Sequence, residues 1–402
     1  MRQMITTGQP GRGPQYDPVR GGWIWGAVGV VTILALAVPG SWAIIRAGNT
    51  DGGLFKQQTA VPTRTVIVTQ PVTALSVQSY GAPIRVIGRP VSHVTVTEAI
   101  SFDQGMARPQ HVTDGVSRGL LTLAAPECQQ DNCSVGFTVI VPNGVAVSAS
   151  AQGGPVTVAG VAATTIDSGG GPVSADDISG QLTVHAEGGD VTVSRAFAAS
   201  LDSGSGPVTA TGIPGKLTVQ AEGGEVSVSG TGAADLDSGG GPITAASING
   251  PLRATAEDGS ITVTRAPSAY LDSGGGPVTV TSVHGPLSVQ AEGGEVQVDD
   301  VTGALSIDTG GGPLTAASLA SATATVKCEG GNAVLGFIAP PTTVKVQTGG
   351  GMATLSVPGG PYAVSADSGG GPESPVAIVT SPGASRTINV STHGGSLQIG
   401  PA

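Results

Sequence analysis

Residues 226–260 read VSVSGTGAADLDSGGGPITAASINGPLRATAEDGS, a 35-residue unit with relatives along the chain from residue 151 onward. The unit contains two different glycine turns, Ser238-Gly-Gly-Gly-Pro242 and Ala256-Glu-Asp-Gly-Ser260. The residue after each such turn recurs every 17 or 18 positions, at Pro155, Pro172, Asp190, Pro207, Glu225, Pro242, Ser260, Pro277, Glu295 and Pro313. Self-similarity at a fixed short period is typical of a repeat architecture, in which each unit packs only on its neighbours.

The segments between the turns place apolar residues at every second position. Val191-Thr-Val193, Val226-Ser-Val228 and Ile261-Thr-Val263 are examples, and this is the period of a strand with one buried face. Glycine supplies the positive φ of a tight turn, and proline after the turn suits the first residue of a strand. The sequence therefore predicts an all-β fold, a parallel β-solenoid with 17–18 residue two-strand coils. A 35-residue coil with four faces is the alternative.

Composition and charge limit the classes of function that this chain could have. The chain has 65 Gly, 11% charged and 3% aromatic residues, which is unlike a typical globular enzyme, while 39% apolar residues suffice to bury a core. Residues 151–402 carry 7 Lys/Arg against 21 Asp/Glu, a net charge of −14. Nucleic acid phosphates bind through clustered cations, so this balance excludes a nucleic acid partner.

One uncharged stretch near the N-terminus is long enough to cross a membrane. Residues 21–45 carry no charge and lie between Arg20 and Arg46, and about 20 apolar residues span a bilayer core. The tryptophans of the chain all lie near its two ends, at Trp23, Trp25 and Trp42, where indole rings favour the membrane interfaces. The alternative is a signal peptide cleaved at Ala35-Leu-Ala37.

These features predict the domain organisation and the location of the chain. A cytoplasmic tail (residues 1–20) and one transmembrane helix (21–46) precede a linker (47–72), an N-terminal capping β segment (73–150) and the repeat solenoid (151–402). The chain is thus expected in the cell membrane as a single-pass protein whose C-terminal ectodomain lies outside the cytoplasm.

Three cysteines are unevenly placed. Cys128 and Cys133 are five positions apart, and in an oxidising exterior compartment a disulfide between them is expected. A metal site would need further ligands at suitable spacing. Cys328 replaces the alanine of an Ala-Glu-Gly-Gly turn, which favours a buried small residue, with an intermolecular bridge as the alternative.

The stretch from Cys128 through Cys133-Ser-Val-Gly-Phe-Thr-Val-Ile-Val-Pro-Asn-Gly144 into Gln152-Gly-Gly-Pro-Val-Thr-Val158, followed by the glycine-turn repeats, resembles the bacterial adhesin-type β-strand-repeat family. That family is a domain of unknown function, often found outside a single membrane anchor. The likeness covers roughly residues 75 to 400. It implies a membrane-anchored β-repeat protein, although the Gly-Gly-Gly-Pro turns here differ from the single-glycine turns usual in the family.

Two local patterns bear on catalysis or zinc binding. Gly115-Val-Ser117-Arg-Gly119 matches the nucleophile elbow of hydrolases, but that elbow needs a following helix, which the sequence does not predict. The five histidines are far apart in the sequence and are expected in turns or on the surface: His93, His111, His185, His284 and His393.

Aspartates recur just before alternate glycine turns, every 35 or 36 residues, at Asp167, Asp202, Asp237, Asp272 and Asp308. Stacked carboxylates beside glycine turns suggest a site for calcium, which takes several oxygen ligands. The favoured interpretation is that each aspartate caps its own turn by accepting backbone N–H bonds. No other cofactor is predicted.

A non-enzymatic role is the expectation. The acid pairs Asp176-Asp177 and Asp299-Asp300 are poor glycosidase candidates, because adjacent residues on a strand point to opposite faces. The sequence favours a cell-surface protein that serves adhesion or a structural role, with a cell-surface protein or a glycan as its ligand. Alternatives are an accessory ectodomain in envelope-stress sensing and a glycan-active β-helix enzyme.

Overall fold

The computed structural model of the chain describes residues 58–60, 62–103, 113–124 and 133–402. Within these ranges no helix is long and apolar enough to cross a membrane. The predicted tail and transmembrane helix, residues 1–46, lie outside the described residues. The strands are β1 Gln58–Ala60, β2 Arg64–Val68, β3 Ala74–Ser79, β4 Ile84–Arg89, β5 Val94–Asp103, β6 Thr113–Ser117, β7 Leu120–Ala124, β8 Cys133–Pro142, β9 Ala146–Ala151, β10 Val156–Ala159, β11 Thr164–Ser168, β12 Val173–Ala186, β13 Val191–Ser203, β14 Val208–Thr211, β15 Leu217–Ala221, β16 Val226–Ser229, β17 Ala234–Ser238, β18 Ile243–Ala246, β19 Pro251–Ala256, β20 Ile261–Ala266, β21 Ser268–Ser273, β22 Val278–Val283, β23 Leu287–Ala291, β24 Val296–Val301, β25 Leu305–Thr309, β26 Leu314–Leu319, β27 Thr323–Cys328, β28 Ala333–Phe337, β29 Thr343–Thr348, β30 Ala353–Val357, β31 Ala363–Asp367, β32 Thr387–Ser391 and β33 Leu397–Pro401.

The repeat region is a parallel β-solenoid of about 12 turns. Each coil has one strand that leads into a glycine turn and one that leaves it. The first set forms the pre-turn face (β9, β11, the second halves of β12 and β13, then the odd-numbered strands β15 to β29). The second forms the post-turn face (β10, the first halves of β12 and β13, then the even-numbered strands β14 to β30).

Strand pairing settles the length of the coil. On the post-turn face Val156 pairs with Val173, and Val173 pairs with Val191. On the pre-turn face Leu217 pairs with Ala234. Each pair joins residues 17 or 18 positions apart, so one coil has that length. The two-strand coil is confirmed, and the 35-residue coil with four faces is excluded.

The core lies between the two faces and is built by strict alternation. In β17, Ala234, Leu236 and Ser238 are buried, whereas Asp235 and Asp237 face outward. Equivalent Val, Leu and Ile residues of successive coils form one continuous buried cluster. Burying a Leu or Val side chain contributes roughly 1.5–3 kcal/mol, and a coil obtains this only when its neighbours cover it.

The glycines of the turns are not there to provide a positive φ, as the sequence predicted. In the Gly-Gly-Gly turn at residues 239–241 none of the three has a positive φ. Instead, a Cβ added at Gly241 would lie 2.0 Å from the carbonyl oxygen of Gly224 in the preceding coil. The same contact recurs at 1.9–2.2 Å at the last glycine of each turn from Gly154 to Gly351. Close stacking of backbones, rather than a left-handed turn, explains these glycines.

Left-handed residues occur at another corner, after the post-turn strand. Here a residue with positive φ recurs once per coil, and several of the positions are not glycine. The column runs through Gly160, Asp177, Arg195, Gly212, Gly230, Ser247, Arg265, Ser282, Asp300 and Ser318, with φ between 51° and 69°. A left-handed L-residue costs roughly 1–2 kcal/mol, so this corner carries strain that the stacking of the coils overcomes.

Replacing Ser318, whose φ is 51°, by glycine should raise the free energy of unfolding by up to about 1 kcal/mol. Relief of the left-handed strain exceeds the entropy that glycine loses on folding. The matched control is Ser306→Gly, at an exposed position within β25, which should lower the free energy of unfolding by about 0.5–1 kcal/mol. Denaturant unfolding of both variants checks the prediction, and effects of the same sign would contradict it.

The N-terminal end of the solenoid is closed by antiparallel strands. Strand β5 pairs antiparallel with β8, and β8 in turn pairs parallel with β4 on the post-turn face. Strands β1 and β2 pair antiparallel with β5. The predicted linker, residues 47–72, is therefore partly strand. The reason is that Thr65-Val-Ile-Val68 has enough β-propensity to add to an open edge of the sheet.

The hydrolase-like pattern at residues 115–119 lies in a β-hairpin. Strand β6 pairs antiparallel with β7 through Arg118 and Gly119, which have φ of 50° and 80°. Two central residues with positive φ are typical of a type I′ hairpin turn. The strand–turn–helix context of a nucleophile elbow is thus missing at this position, as expected from the sequence.

The C-terminal end is closed by a departure from chain order. After β30 the chain forms β31, and it then returns so that β32 pairs with both β29 and β31. The buried Tyr362 precedes β31 and donates its hydroxyl hydrogen bond to the carbonyl oxygen of Pro358 at 2.6 Å. Strand β31 therefore lies on the side of β32 that faces away from β29, and it covers the last coil.

The cysteines have different surroundings. Cys133 is disulfide-bonded, whereas Cys328 is a buried free thiol whose pKa is raised by burial. Cys328 is stacked between Thr309 and Thr348 in the core, as the buried-residue interpretation predicted. Cys128 lies outside the described residues, so its pairing with Cys133 stays a prediction.

Candidate functional site

Two outward columns of side chains run along the pre-turn face. Because the strands are parallel and in register, each column places one residue of every coil in line, about 4.8 Å from the next. The column nearer the glycine turn contains the predicted aspartate ladder and is termed the acidic column. Its members are Asp167, His185, Asp202, Gln220, Asp237, Thr255, Asp272, Gln290, Asp308 and Lys327.

The five predicted aspartates alternate with other residue types along the acidic column. Successive aspartates are therefore two coils, or about 10 Å, apart. His185 Nδ1 lies 3.3 Å from Asp202 Oδ2, and Lys327 Nζ lies 3.7 Å from Asp308 Oδ2. The pKa of Lys327 is raised by its hydrogen bond to Glu329, with Asp308 adding to the shift. The ladder thus separates its carboxylates and places two of them beside a histidine or a lysine.

The turns are closed by serine, not by aspartate as the sequence suggested. In four alternate coils a buried hydroxyl donates to the carbonyl oxygen three residues later at 2.8 Å, from Ser168, Ser203, Ser238 and Ser273. Within the described residues, Asp367 accepts an N–H bond from its own turn, from Gly369 at 2.9 Å. The five ladder aspartates make no such bond there. The turn after Asp367 has a different backbone conformation, because Gly369 and Gly370 have φ of 62° and 94°, whereas the glycines that follow the ladder aspartates have no positive φ.

Calcium would need several of these oxygens at one point. Its ligands lie 2.3–2.6 Å from the ion, and the described residues contain no group of three or more His, Cys, Asp or Glu side chains that could hold a metal ion. We therefore expect the melting temperature of the full chain to be the same in millimolar calcium as in chelator. Calorimetry should likewise detect no binding heat. A rise of several degrees in calcium would contradict this and restore the ladder as a metal site.

The second outward column forms a different kind of site, which sequence reasoning missed. At its centre Asp235, Arg253 and Tyr270 are stacked on consecutive coils. Arg253 Nε lies 3.9 Å from Asp235 Oδ1, and its guanidinium carbon lies 4.9 Å from the centroid of the Tyr270 ring. The Tyr270 hydroxyl donates to Gln290 Oε1 at 2.7 Å. An ion pair, a cation–π contact and a hydrogen bond thus fix these side chains in one arrangement.

This cluster borders a groove of about 750 Å³ on the pre-turn face. The column continues from Tyr270 to Ser288 and Ser306, so large side chains give way to small ones and leave room above the sheet. Pro251 and Pro286 are among the apolar residues that line the groove. A concave site with an apolar lining and a few fixed polar groups is the usual form of a ligand site.

A signal for this groove is present in the sequence. Asp235, Arg253 and Tyr270 are 18 and 17 residues apart, which is one coil each, so the period alone aligns a carboxylate, a guanidinium and an aromatic ring. The described histidines do not converge in this way, and His111 lies outside the described residues. His185 and His393 lie in different parts of the solenoid, and His393 Nδ1 is 3.1 Å from the backbone oxygen of Thr348.

The acid pairs are placed differently from the expectation. Asp177 and Asp300 have φ of 55° and 56°, and this left-handed corner breaks the alternation of the strand. Both members of each pair are therefore accessible to solvent. Asp176 is engaged by Ser194 and Arg195, and Asp300 accepts from Ser282 at 2.9 Å. These bonds tie adjacent corners together.

No protein-family model, curated protein or solved structure matched the chain in the comparisons made.

Proposed function

We propose that this chain is a single-pass, membrane-anchored protein of the cell surface whose solenoid serves as a non-enzymatic, adhesin-like or structural scaffold. The observation that carries the proposal is the pre-turn face. Its strands stay in parallel register from β9 to β29, and a groove lies on this face. A rigid face of this kind presents fixed side chains over many coils, which suits recognition of an extended partner.

The anchor in this proposal is the uncharged segment at residues 21–45 with its terminal tryptophans. Its length and flanking charges suit a bilayer span. The proposed surface location also agrees with the acidic composition of residues 151–402, since a high net charge keeps an exposed repeat surface soluble and prevents its self-association.

The test uses the full chain with a C-terminal epitope, expressed in a bacterial host. Antibody should label intact cells, and cells that carry the chain should attach to a glycan-coated or cell-coated surface more than control cells do. A chain lacking residues 1–46 should leave the membrane fraction. Labelling only after lysis, or attachment equal to that of control cells, would refute the proposal. Turnover of a glycan by the purified chain would contradict its non-enzymatic part.

A further inference from the structure

We propose that the groove beside Tyr270 binds a neutral oligosaccharide, whose rings lie along the solenoid axis against the tyrosine ring. This inference rests on the proposed function, because it names the ligand of the same face. Its centre is the fixed cluster in which Arg253 covers one face of the Tyr270 ring at 4.9 Å. The other neighbour in the column is Ser288, which is small and leaves space for a ligand.

The chemistry of the groove suits a carbohydrate. A sugar ring has apolar C–H faces and hydroxyl groups that both donate and accept hydrogen bonds. Tyr270 provides an aromatic surface for the C–H face, while the Asp235 carboxylate accepts and the guanidinium of Arg253 donates. Ser288 and Ser306 add hydroxyl groups at the spacing of one coil.

The groove does not suit an extended peptide that adds to a sheet. Its floor is the face of strands β17 to β25, whose backbone groups are already paired with the neighbouring coils. Addition of a peptide strand requires an open edge with free N–H and C=O groups. Only side chains are available here, which favours a ligand recognised through its rings and hydroxyls.

Charge argues for a neutral ligand. Arg253 is already beside the carboxylate of Asp235 at 3.9 Å, so the central cluster carries little net charge. Lys216 is a further cation of the lining. The acidic column with Asp237, Asp272 and Asp308 runs beside the groove on the same strands, and it would repel a polyanionic glycan.

The length of the groove indicates several sugar rings. Its lining extends from Lys216, just before β15, to Thr325 in β27. These strands belong to seven successive coils, so the groove spans roughly 29 Å along the axis. A site of this length distributes weak contacts over an oligomer, and a monosaccharide should bind far more weakly.

The test is titration calorimetry on the full chain in a detergent without a sugar headgroup, with cellohexaose, chitohexaose and maltohexaose as probes. At least one neutral hexasaccharide should bind. Tyr270→Ala should weaken that binding by about tenfold or more, because the aromatic surface is lost. The matched control is Phe197→Ala, which removes an aromatic side chain that is 62% exposed and outside the groove lining. Its affinity should equal that of the wild type.

Three outcomes would overturn the assignment. They are absence of binding by all three hexasaccharides, equal affinities of the two variants, and tighter binding of polygalacturonate or of a proline-rich peptide. Thermal unfolding of both variants establishes that each is folded. If Tyr270→Ala loses the sugar but its cells still attach, the scaffold proposal stands with another ligand. If the sugar binds but wild-type cells do not attach, the proposed function falls and the groove remains a glycan site.

Discussion

Gly241→Ala should lower the free energy of unfolding by about 3 kcal/mol or more. The added Cβ would lie 2.0 Å from the carbonyl oxygen of Gly224 and 2.5 Å from its carbonyl carbon. Both are backbone atoms of a turn that hydrogen bonds hold to the next coil on either side, from Gly240 N to the carbonyl oxygen of Glu222 at 3.0 Å and from Val226 N to that of Pro242 at 2.9 Å, so neither can rotate away as a side chain could. Relief requires two coils to separate locally, which breaks hydrogen bonds and exposes core. Denaturant unfolding of the full chain measures the effect.

The control for this prediction is the preceding residue. A Cβ at Gly240 has no atom closer than 3.9 Å, and the φ of Gly240 is not positive. Gly240→Ala should therefore change the free energy of unfolding by no more than about 0.5 kcal/mol. The chain itself carries larger side chains at equivalent positions, Ser205 and Asp258. Similar destabilisation by the two substitutions would show that flexibility, rather than close stacking, is what the turn requires.

Phe337→Ala should lower the free energy of unfolding by about 3–5 kcal/mol. Phe337 ends β28, is 1% exposed and pairs with Leu319 of the preceding coil. The neighbouring core side chains are mainly Val, Leu, Ile and Ala, and they are too small to fill the cavity that the missing ring would leave. The loss includes both the transfer free energy of the ring and the cavity that it leaves.

The next residue provides the matched control for this core substitution. Ile338 is 66% exposed, and Ile338→Ala should change the free energy of unfolding by no more than about 0.5 kcal/mol. Hydrogen exchange should show faster opening of β26, β28 and β30 in Phe337→Ala, with distant coils such as β14 less affected, because coils couple mainly to their neighbours. Equal effects of the two substitutions would contradict the inward assignment of Phe337.

The coil could be predicted because its signals are local and repeated. The alternation Val226-Ser-Val228 fixes which side chains are buried, and the spacing from Pro242 to Pro277 fixes the length of two coils. The ends were harder to predict. The antiparallel strand β2 and the late insertion of β32 depend on which edges remain open after the solenoid has formed, and no periodicity encodes that.

The outward columns of the pre-turn face were predicted only in part, because the register of the strands places a residue of every coil in each column. The sequence identified the aspartates from Asp167 to Asp308 as a ladder, but the residues between them, such as His185 and Gln220, belong to the same column. Reading one turn type at a time gives a spacing of two coils and omits the intervening residue. The Tyr270 cluster was missed for the same reason, because its members come from three different coils.

The sequence by itself determined the solenoid and its inward residues, since both depend on positions at a constant separation, whereas strand pairing decided between a coil of 17 or 18 residues and one of 35. The tertiary structure alone decided why the turn glycines are needed, which hydroxyl closes each turn, and which side chains stand together on the pre-turn face. These features arise from atoms 17 or 18 residues apart that stacking brings into contact, as at Gly224 and Gly241 or at Arg253 and Tyr270. Such contacts depend on how the coils stack and twist, which residue spacing alone does not specify.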